Sequence, residues 1–294
     1  MKTSLDCMPC FIRQALETAR LVLADKADHE RIVREVMGWA ARMDLSQSPP
    51  RMAQRIHRRL CELTGDKDPY RAAKDHQNQM ALKLLPELRD QVRQSGDALM
   101  TALRLSIAGN IIDMGVNGHV TETQVRVSID RALSERLVGD IAVLRHALEN
   151  AAHILYLTDN AGEIVFDRLL VEEIGPQRVT VAVRGAPILN DATCADARAV
   201  GLVDMVTVID NGSDAPGTLL EDCSPTFKKQ FASSDLILAK GQGNFESLSD
   251  EAAPVIFLFQ AKCPVIASHA QVPQGSHVLT WFHPEMFKLP AVQS

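Results

Sequence analysis

Residues Leu155 to Leu170 read LYLTDNAGEIVFDRLL, and the chain changes character twice within them. Ile154, Leu155, Tyr156 and Leu157 form a short apolar run of the kind buried on both faces in a parallel sheet. Polarity switches abruptly at Thr158, Asp159 and Asn160. Beyond Gly162 the apolar residues Ile164, Val165, Leu169, Leu170 and Ile174 fall at helical spacing. Asp159, Asn160 and Glu163 put two carboxylates and an amide oxygen at the carboxyl end of a buried strand, where open α/β sheets bind ligands and where a hard cation finds donors. Taken alone, Asp159 or Asn160 reads equally as a helix cap.

Outward from this stretch, toward the C-terminus, apolar runs alternate with helical patterns. Val179–Val183, Met205–Ile209, Leu236–Ala239, Val255–Phe259 and Val265–Ala267 are the apolar stretches, with helices expected at about 191–200 and 218–232. Such alternation predicts βαβ units and a mainly parallel sheet covered on both faces. Toward the N-terminus the period is helical throughout. Helices are expected over 8–24, 29–43, 50–64, 70–94, 97–108, 122–137 and 140–150, parted by breakers such as Ser48-Pro49-Pro50 and Gly65-Asp66. The expected architecture is α/β: a helical N-terminal domain, 1–150, packed on a Rossmann-like three-layer α/β/α domain, 151–294, with a cleft between them. No repeat, low-complexity run or long linker interrupts it.

Composition narrows the function. The 294 residues are 46% hydrophobic and 23% charged, ordinary for a soluble globular protein, and aromatics are scarce at 4%, so Leu, Val, Ile and Ala must build the core. A formal charge of −6 argues against a general nucleic-acid binder. The densest basic run, Arg55-Ile56-His57-Arg58-Arg59, has helical spacing and reads as a solvated or ion-paired face. No apolar stretch is long enough to span a bilayer, and MKTSLDCMPC has no signal-peptide core, so no membrane association and a cytoplasmic location are expected. Six cysteines do not suggest a disulfide scaffold.

In a parallel sheet the carboxyl ends of the strands open onto one rim, so the residues after each strand spell out the site. They are Asp159–Glu163, Arg184–Asp191, Asp210–Asp214 and Lys240–Glu246, four polar loops with glycine and charge. Asp159, Asn160 and Asp191 offer one divalent ion three oxygen ligands, a set suited to Mg²⁺ or Mn²⁺ rather than a thiol-loving metal. Arg184 and Lys240 are cations suited to phosphate oxygens. The amides around Asn211, Gly212, Ser213, Gly241 and Asn244 are candidates to cradle the anion. GQGNFE lacks a third glycine and no P-loop occurs, so neither dinucleotide nor P-loop nucleotide binding is supported.

Several segments together point to a family: RIHRR (Arg55–Arg59), DPY (Asp68–Tyr70), GNIID (Gly109–Asp113), GVNGH (Gly115–His119), DNAGEIVFD (Asp159–Asp167), RGAPILND (Arg184–Asp191) and AKGQGNFE (Ala239–Glu246). The combination resembles the DUF89 family, also called damage-control phosphatases or ARMT1-like proteins, and Cys7-x-x-Cys10 resembles its stand-alone prokaryotic branch. The resemblance implies a helical plus an α/β domain, hydrolysis of small phosphate esters such as sugar phosphates or damaged phosphometabolites, and a divalent metal (Mn, Mg, Co or Ni) on Asp159, Asn160 and Asp191. The eukaryotic branch is also described as a protein carboxyl methyltransferase.

The expected chemistry is hydrolysis of a small phosphomonoester without a phosphoenzyme. Asp159 and Asp191 would hold the metal, Lys240 would stabilise phosphoryl charge, and Glu163 or Asp191 would orient or deprotonate the water. The competing covalent route makes Asp159 a nucleophile, but such enzymes usually carry a second aspartate two residues on, where this chain has Ala161. Asn110 and Asp113, more than Asp68, Tyr70 or Lys74, are expected to contact the substrate across the cleft; helix termination before Gly115 is the simpler reading of that pair. Cys7 and Cys10, with His57, Cys61 or His119, would make a structural zinc site, and two thiols packed without metal serve as well. Two other functions stay open: a non-catalytic metal- or phosphometabolite-binding module, and an S-adenosylmethionine-dependent methyltransferase. The second needs a glycine-rich first turn and an acid ending the second strand, where this chain has an acidic turn and Arg184.

Overall fold

Cap chemistry sets several of the helix boundaries. Asp25 accepts from the Ala27 amide, Asp97 from Met100 and Asp140 from Ala142, so each helix starts just after its aspartate. Pro49 and Pro50 open the third helix, and Gly65, in a left-handed conformation at φ 71°, ends it. The computed structural model describes residues 1–109 and 122–283. Helices α1 (Cys7–Val22), α2 (Lys26–Ala40), α3 (Pro49–Thr64), α4 (Arg71–Gln94), α5 (Ala98–Ala108), α6 (Glu122–Ser134) and α7 (Ile141–Asn150) fill the first half. The second half runs β2 (Ile154–Leu157), α8 (Glu163–Ile174), β3 (Val179–Val183), α9 (Cys194–Ala199), β4 (Thr207–Asp210), α10 (Pro225–Ser233), β5 (Leu236–Lys240), α11 (Gly241–Leu248), β6 (Val255–Gln260), α12 (Pro264–His269) and β7 (His277–Thr280).

The fold is the expected α/β architecture, with differences in detail, among them a later start, at Pro225, for the helix expected from 218. A two-residue strand, β1 (Leu137–Val138), stands where the sequence continues the helix from 122, and it pairs with β7. Val265–Ala267, an apolar stretch in the sequence, lies inside α12, because Pro264 fixes the first helical φ there. Strand β7, His277–Thr280, was not anticipated and takes the sheet position beside β6.

The sheet order is β1-β7-β6-β5-β2-β3-β4, parallel throughout except for β6 against β7. From β2 the chain winds outward to β3 and β4 on one side and to β5 and β6 on the other. The order therefore reverses at β2, and a crevice opens between the loops following β2 and its neighbours.

Period-two alternation divides the sheet between two cores. Ile154 and Tyr156, with Leu236, Leu238, Ile256 and Leu258, face the layer containing α4, α5 and α8. Leu155, Leu157, Ile237, Ala239, Phe257 and Phe259 face the layer containing α10, α11 and α12. The first core runs continuously across residue 150, joining Leu103, Leu105 and Leu148 to the sheet. A separate small core of Phe11, Ala15, Ile32, Val36, Ile56 and Leu60 holds α1, α2 and α3 together. No helix among the described residues is long and apolar enough to cross a membrane.

Candidate active site at the β2 switch point

Two loops of the rim pair with each other. The Ala192 amide donates to the Asp159 carbonyl at 2.8 Å, Ala161 donates to Asn190 at 2.8 Å, and Asn160 and Asp191 form an isolated antiparallel bridge. Positions 159 and 191, far apart in sequence, thereby become neighbours. Leu189 enters this bridge in a left-handed conformation, φ 45°, unusual for a branched residue and kept only where the surroundings enforce it. Asp159, Asn160, Asn190 and Asp191 line one cavity of about 850 Å³. Its other wall comes from α1 (Cys7, Cys10, Arg13, Gln14, Glu17, Thr18), Tyr70, Gln242, Glu246 and Lys262. Burial pushes the Glu246 carboxyl up to about 7.

Arg184 sits between the two aspartates, buried. Its Nε donates to Asp191 Oδ2 at 2.7 Å and Nη1 to Asn244 Oδ1 at 3.2 Å, while Nη2 lies 3.7 Å from Asp159 Oδ1 and makes no hydrogen bond. An unsatisfied buried guanidinium N–H is costly and marks a place for an anionic acceptor. Gly241 opens α11 directly against Asp159: at φ 77° a Cβ there would stand 2.0 Å from Asp159 Oδ2. Only glycine leaves room for the carboxylate.

Lys240 is not on the rim. It is fully buried, and Nζ donates to Asp167 Oδ1 (2.5 Å), Glu163 Oε1 (2.8 Å) and the Ser106 carbonyl (3.0 Å). The period-two alternation of β5 explains this: Lys240 shares the face of Leu236 and Leu238, which looks toward α8 and α5. Burial works against the ammonium, yet Asp167 and Glu163 outweigh it and hold its pKa above the ordinary lysine value.

The expected anion cradle also lies behind the wall. Asn211 Oδ1 accepts from the Gly185 and Ser213 amides, and Ser213 Oγ donates to Asp222 Oδ2, so Asn211, Gly212 and Ser213 brace the Arg184 loop. Asn244 donates to the Thr158 and Lys240 carbonyls and accepts from Thr218 and Arg184, which saturates its amide. Asn110 and Asp113 fall outside the described residues.

Of the ligands considered for a structural zinc, His119 falls outside the described residues. Among the described residues no group of three or more His, Cys, Asp or Glu side chains is placed to hold an ion. Cys7 and Cys10 lie in the first turn of α1 on the cavity wall, while buried His57 contacts Cys61 Sγ through Nε2 (3.4 Å) and takes the Leu189 amide on Nδ1 (3.5 Å). Burial, above all, depresses the imidazole to about 4. The RIHRR run is ion-paired: Arg58 with Asp214, Arg59 with Glu35, and Arg55 stacked over Trp39.

With this geometry in view, the comparisons are direct. The family model for the damage-control phosphatase ARMT1-like domain matches residues 3–278. The chain belongs to the ARMT1-like (DUF89) family. A protein of Archaeoglobus fulgidus named damage-control phosphatase is 37% identical over 287 residues, covering 95% of this chain and 98% of its own. A damage-control phosphatase of Pyrococcus horikoshii is 31% identical over 284 residues, covering 95% and 97%. The crystal structure of a DUF89 family protein from P. horikoshii superposes with a TM-score of 0.86 at 30% identity, covering 96% of this chain and 99% of that one.

This DUF89 chain also uses residues that sequence reasoning missed. Asn78 on α4 accepts from the Gly162 amide (2.7 Å) and donates to Asp196 Oδ1 (3.0 Å), tying both paired loops to the helical half. Asp167, one helical turn beyond Glu163, gathers Lys240, Tyr156 OH (2.8 Å) and Ser106 Oγ (2.9 Å). The available signal was a carboxylate on an otherwise apolar helix face, four residues from another.

Proposed function

We propose that the chain is a metal-dependent phosphatase that hydrolyses small phosphomonoesters by attack of water. Relatives named damage-control phosphatases support a phosphatase-type function. The observation that carries the finer reading is the Asn160–Asp191 bridge, which sets Asp159, Asn160 and Asp191 side by side on a cavity at the point where strand order reverses.

The donor set fits a hard divalent cation. Two carboxylates and one amide line the same cavity, and the missing Cβ at Gly241 leaves space for the Asp159 carboxylate. Asp159, Asn160 and Asp191 would hold a Mn²⁺, Mg²⁺, Co²⁺ or Ni²⁺ ion, which would supply Lewis acidity toward the phosphoryl oxygens. Arg184 is the cation we assign to the phosphoryl charge, since its Nη2 protons have no protein acceptor. Asp191, on the cavity wall, is the carboxylate we assign to take a proton from the attacking water. Glu163 is not, because both its oxygens are engaged away from the cavity. The polar wall formed by α1 and α11 would receive the alcohol of a small ester, a sugar phosphate or a damaged phosphometabolite.

The test is phosphate release from p-nitrophenyl phosphate and a panel of sugar phosphates. Turnover should vanish with EDTA, return with Mn²⁺, and fall at least about a hundredfold in Asp191→Ala. Turnover that survives EDTA and Asp191→Ala alike defeats the proposal.

A further inference from the structure

Asn160 has two amide protons, and both are committed to carboxylates. Nδ2 donates to Asp159 Oδ2 at 2.8 Å and to Glu163 Oε2 at 3.1 Å. Turned over, the amide would set its own oxygen against two anionic oxygens, so only one orientation is allowed. In that orientation Oδ1 is directed away from Glu163.

Glu163 is itself held. Oε1 accepts from Lys240, whose other two protons go to Asp167 and the Ser106 carbonyl, and Asp167 is held by Tyr156 and Ser106. Every member of this network is at most 1% exposed, and none of them lines the cavity. Both oxygens of Glu163 face N–H donors, an arrangement that suits the carboxylate. One ammonium between two carboxylates leaves a single negative charge behind the cation site, offset when a cation binds.

We infer that Glu163, clamped by Lys240 and Asp167, is a positioning residue that fixes the Asn160 amide with its oxygen toward the divalent cation. The inference rests on the metal reading above. It moves Glu163 and Lys240 out of contact with substrate and makes them determinants of metal affinity.

Mn²⁺ titration calorimetry on the full chain tests it. A glutamine at 163 can satisfy Lys240 or Asn160 but not both, since one of its two ends is a donor. Glu163→Gln should therefore weaken Mn²⁺ binding about 10- to 100-fold, with most of kcat recovered at saturating Mn²⁺. Wild-type Mn²⁺ affinity in this variant overturns the inference, and a kcat that stays about a hundredfold down at saturating Mn²⁺ would instead make Glu163 the proton acceptor. If Glu163→Gln does not fold, Asp167→Asn reads the same clamp one step back. There a loss of roughly threefold or more in Mn²⁺ affinity supports the inference, and none overturns it. Wild-type protein that binds no Mn²⁺ defeats the metal reading itself, a separate outcome.

Discussion

Two lysines, Lys240 and Lys74, are each fully buried between two carboxylates, one behind each of the paired loops. Lys240 spends all three protons, and it is the only cation paired with Asp167 and Glu163 among the described residues; their other donors, Tyr156, Ser106 and Asn160, are neutral. Lys74 lies 2.9 Å from Asp68 and 3.6 Å from Asp196, in looser geometry. Asp196 has other donors: Arg71, Asn78 and both the amide and hydroxyl of Thr193. Asp68 is partly open to solvent. Burying an ion pair confers little net stability, but breaking one leaves an uncompensated charge whose cost depends on what else can solvate it. The carboxylates behind the 159–163 loop thus share one cation backed by neutral donors, whereas Asp196, behind the 190–196 loop, keeps a second cation in Arg71.

The largest expected effect follows from that difference. Lys240→Met should cost about 3 to 5 kcal/mol in urea unfolding, and Lys74→Met roughly half as much. Equal losses would break the comparison. A second test addresses the 190–196 side through His57, which holds the Leu189 amide. The unfolded imidazole takes its proton as pH falls through 6.5, the folded one only near 4. Its contribution is therefore complete above pH 6.5 and lost progressively down to about 4. His57→Gln should spare the protein up to about 3 kcal/mol of that acid loss, measured as unfolding midpoints at pH 7 and pH 4.5. A wild-type pH slope in the variant would remove His57 from the account.

Asn78 is the joint between the two loops, so Asn78→Ala strips an acceptor from Gly162 and a donor from Asp196 together. A loss of about 2 kcal/mol is expected, and the Lys74→Met increment should grow in the double variant because Asp196 has then lost two of its donors. The smallest effect belongs to the surface. Arg58→Ala breaks a half-exposed pair with Asp214 and should cost about 1 kcal/mol or less. A larger loss would mean that the α3 latch, which Gln54 also makes to Asp214 and Asp222, carries more of the fold than the buried clusters.

Much of this was legible in the primary structure. Strands β2 and β3 fall at their expected bounds because a run buried on both faces announces itself. The β1 and β7 pieces did not, being two and four residues long with no apolar contrast around them. Within the site, the loops carrying Asp159 and Asp191 are legible from their place after strands, but the position of Lys240 is not. Its place after an apolar run suggests the rim, although alternation directs it to the face of Leu238. Asn211, Gly212, Ser213 and Asn244 read as an anion cradle because polar loop residues and bracing residues look alike in one dimension.

The sequence by itself determined the layered α/β class, the order of elements and the polar loops of the rim, because periodicity and polarity are local properties. Tertiary structure decided that residue 159 meets residue 191, that Lys240 turns inward, and that the Asn160 amide has one allowed orientation. Those outcomes depend on which hydrogen-bond partners packing brings within about 3 Å, and separation along the chain carries no record of that distance.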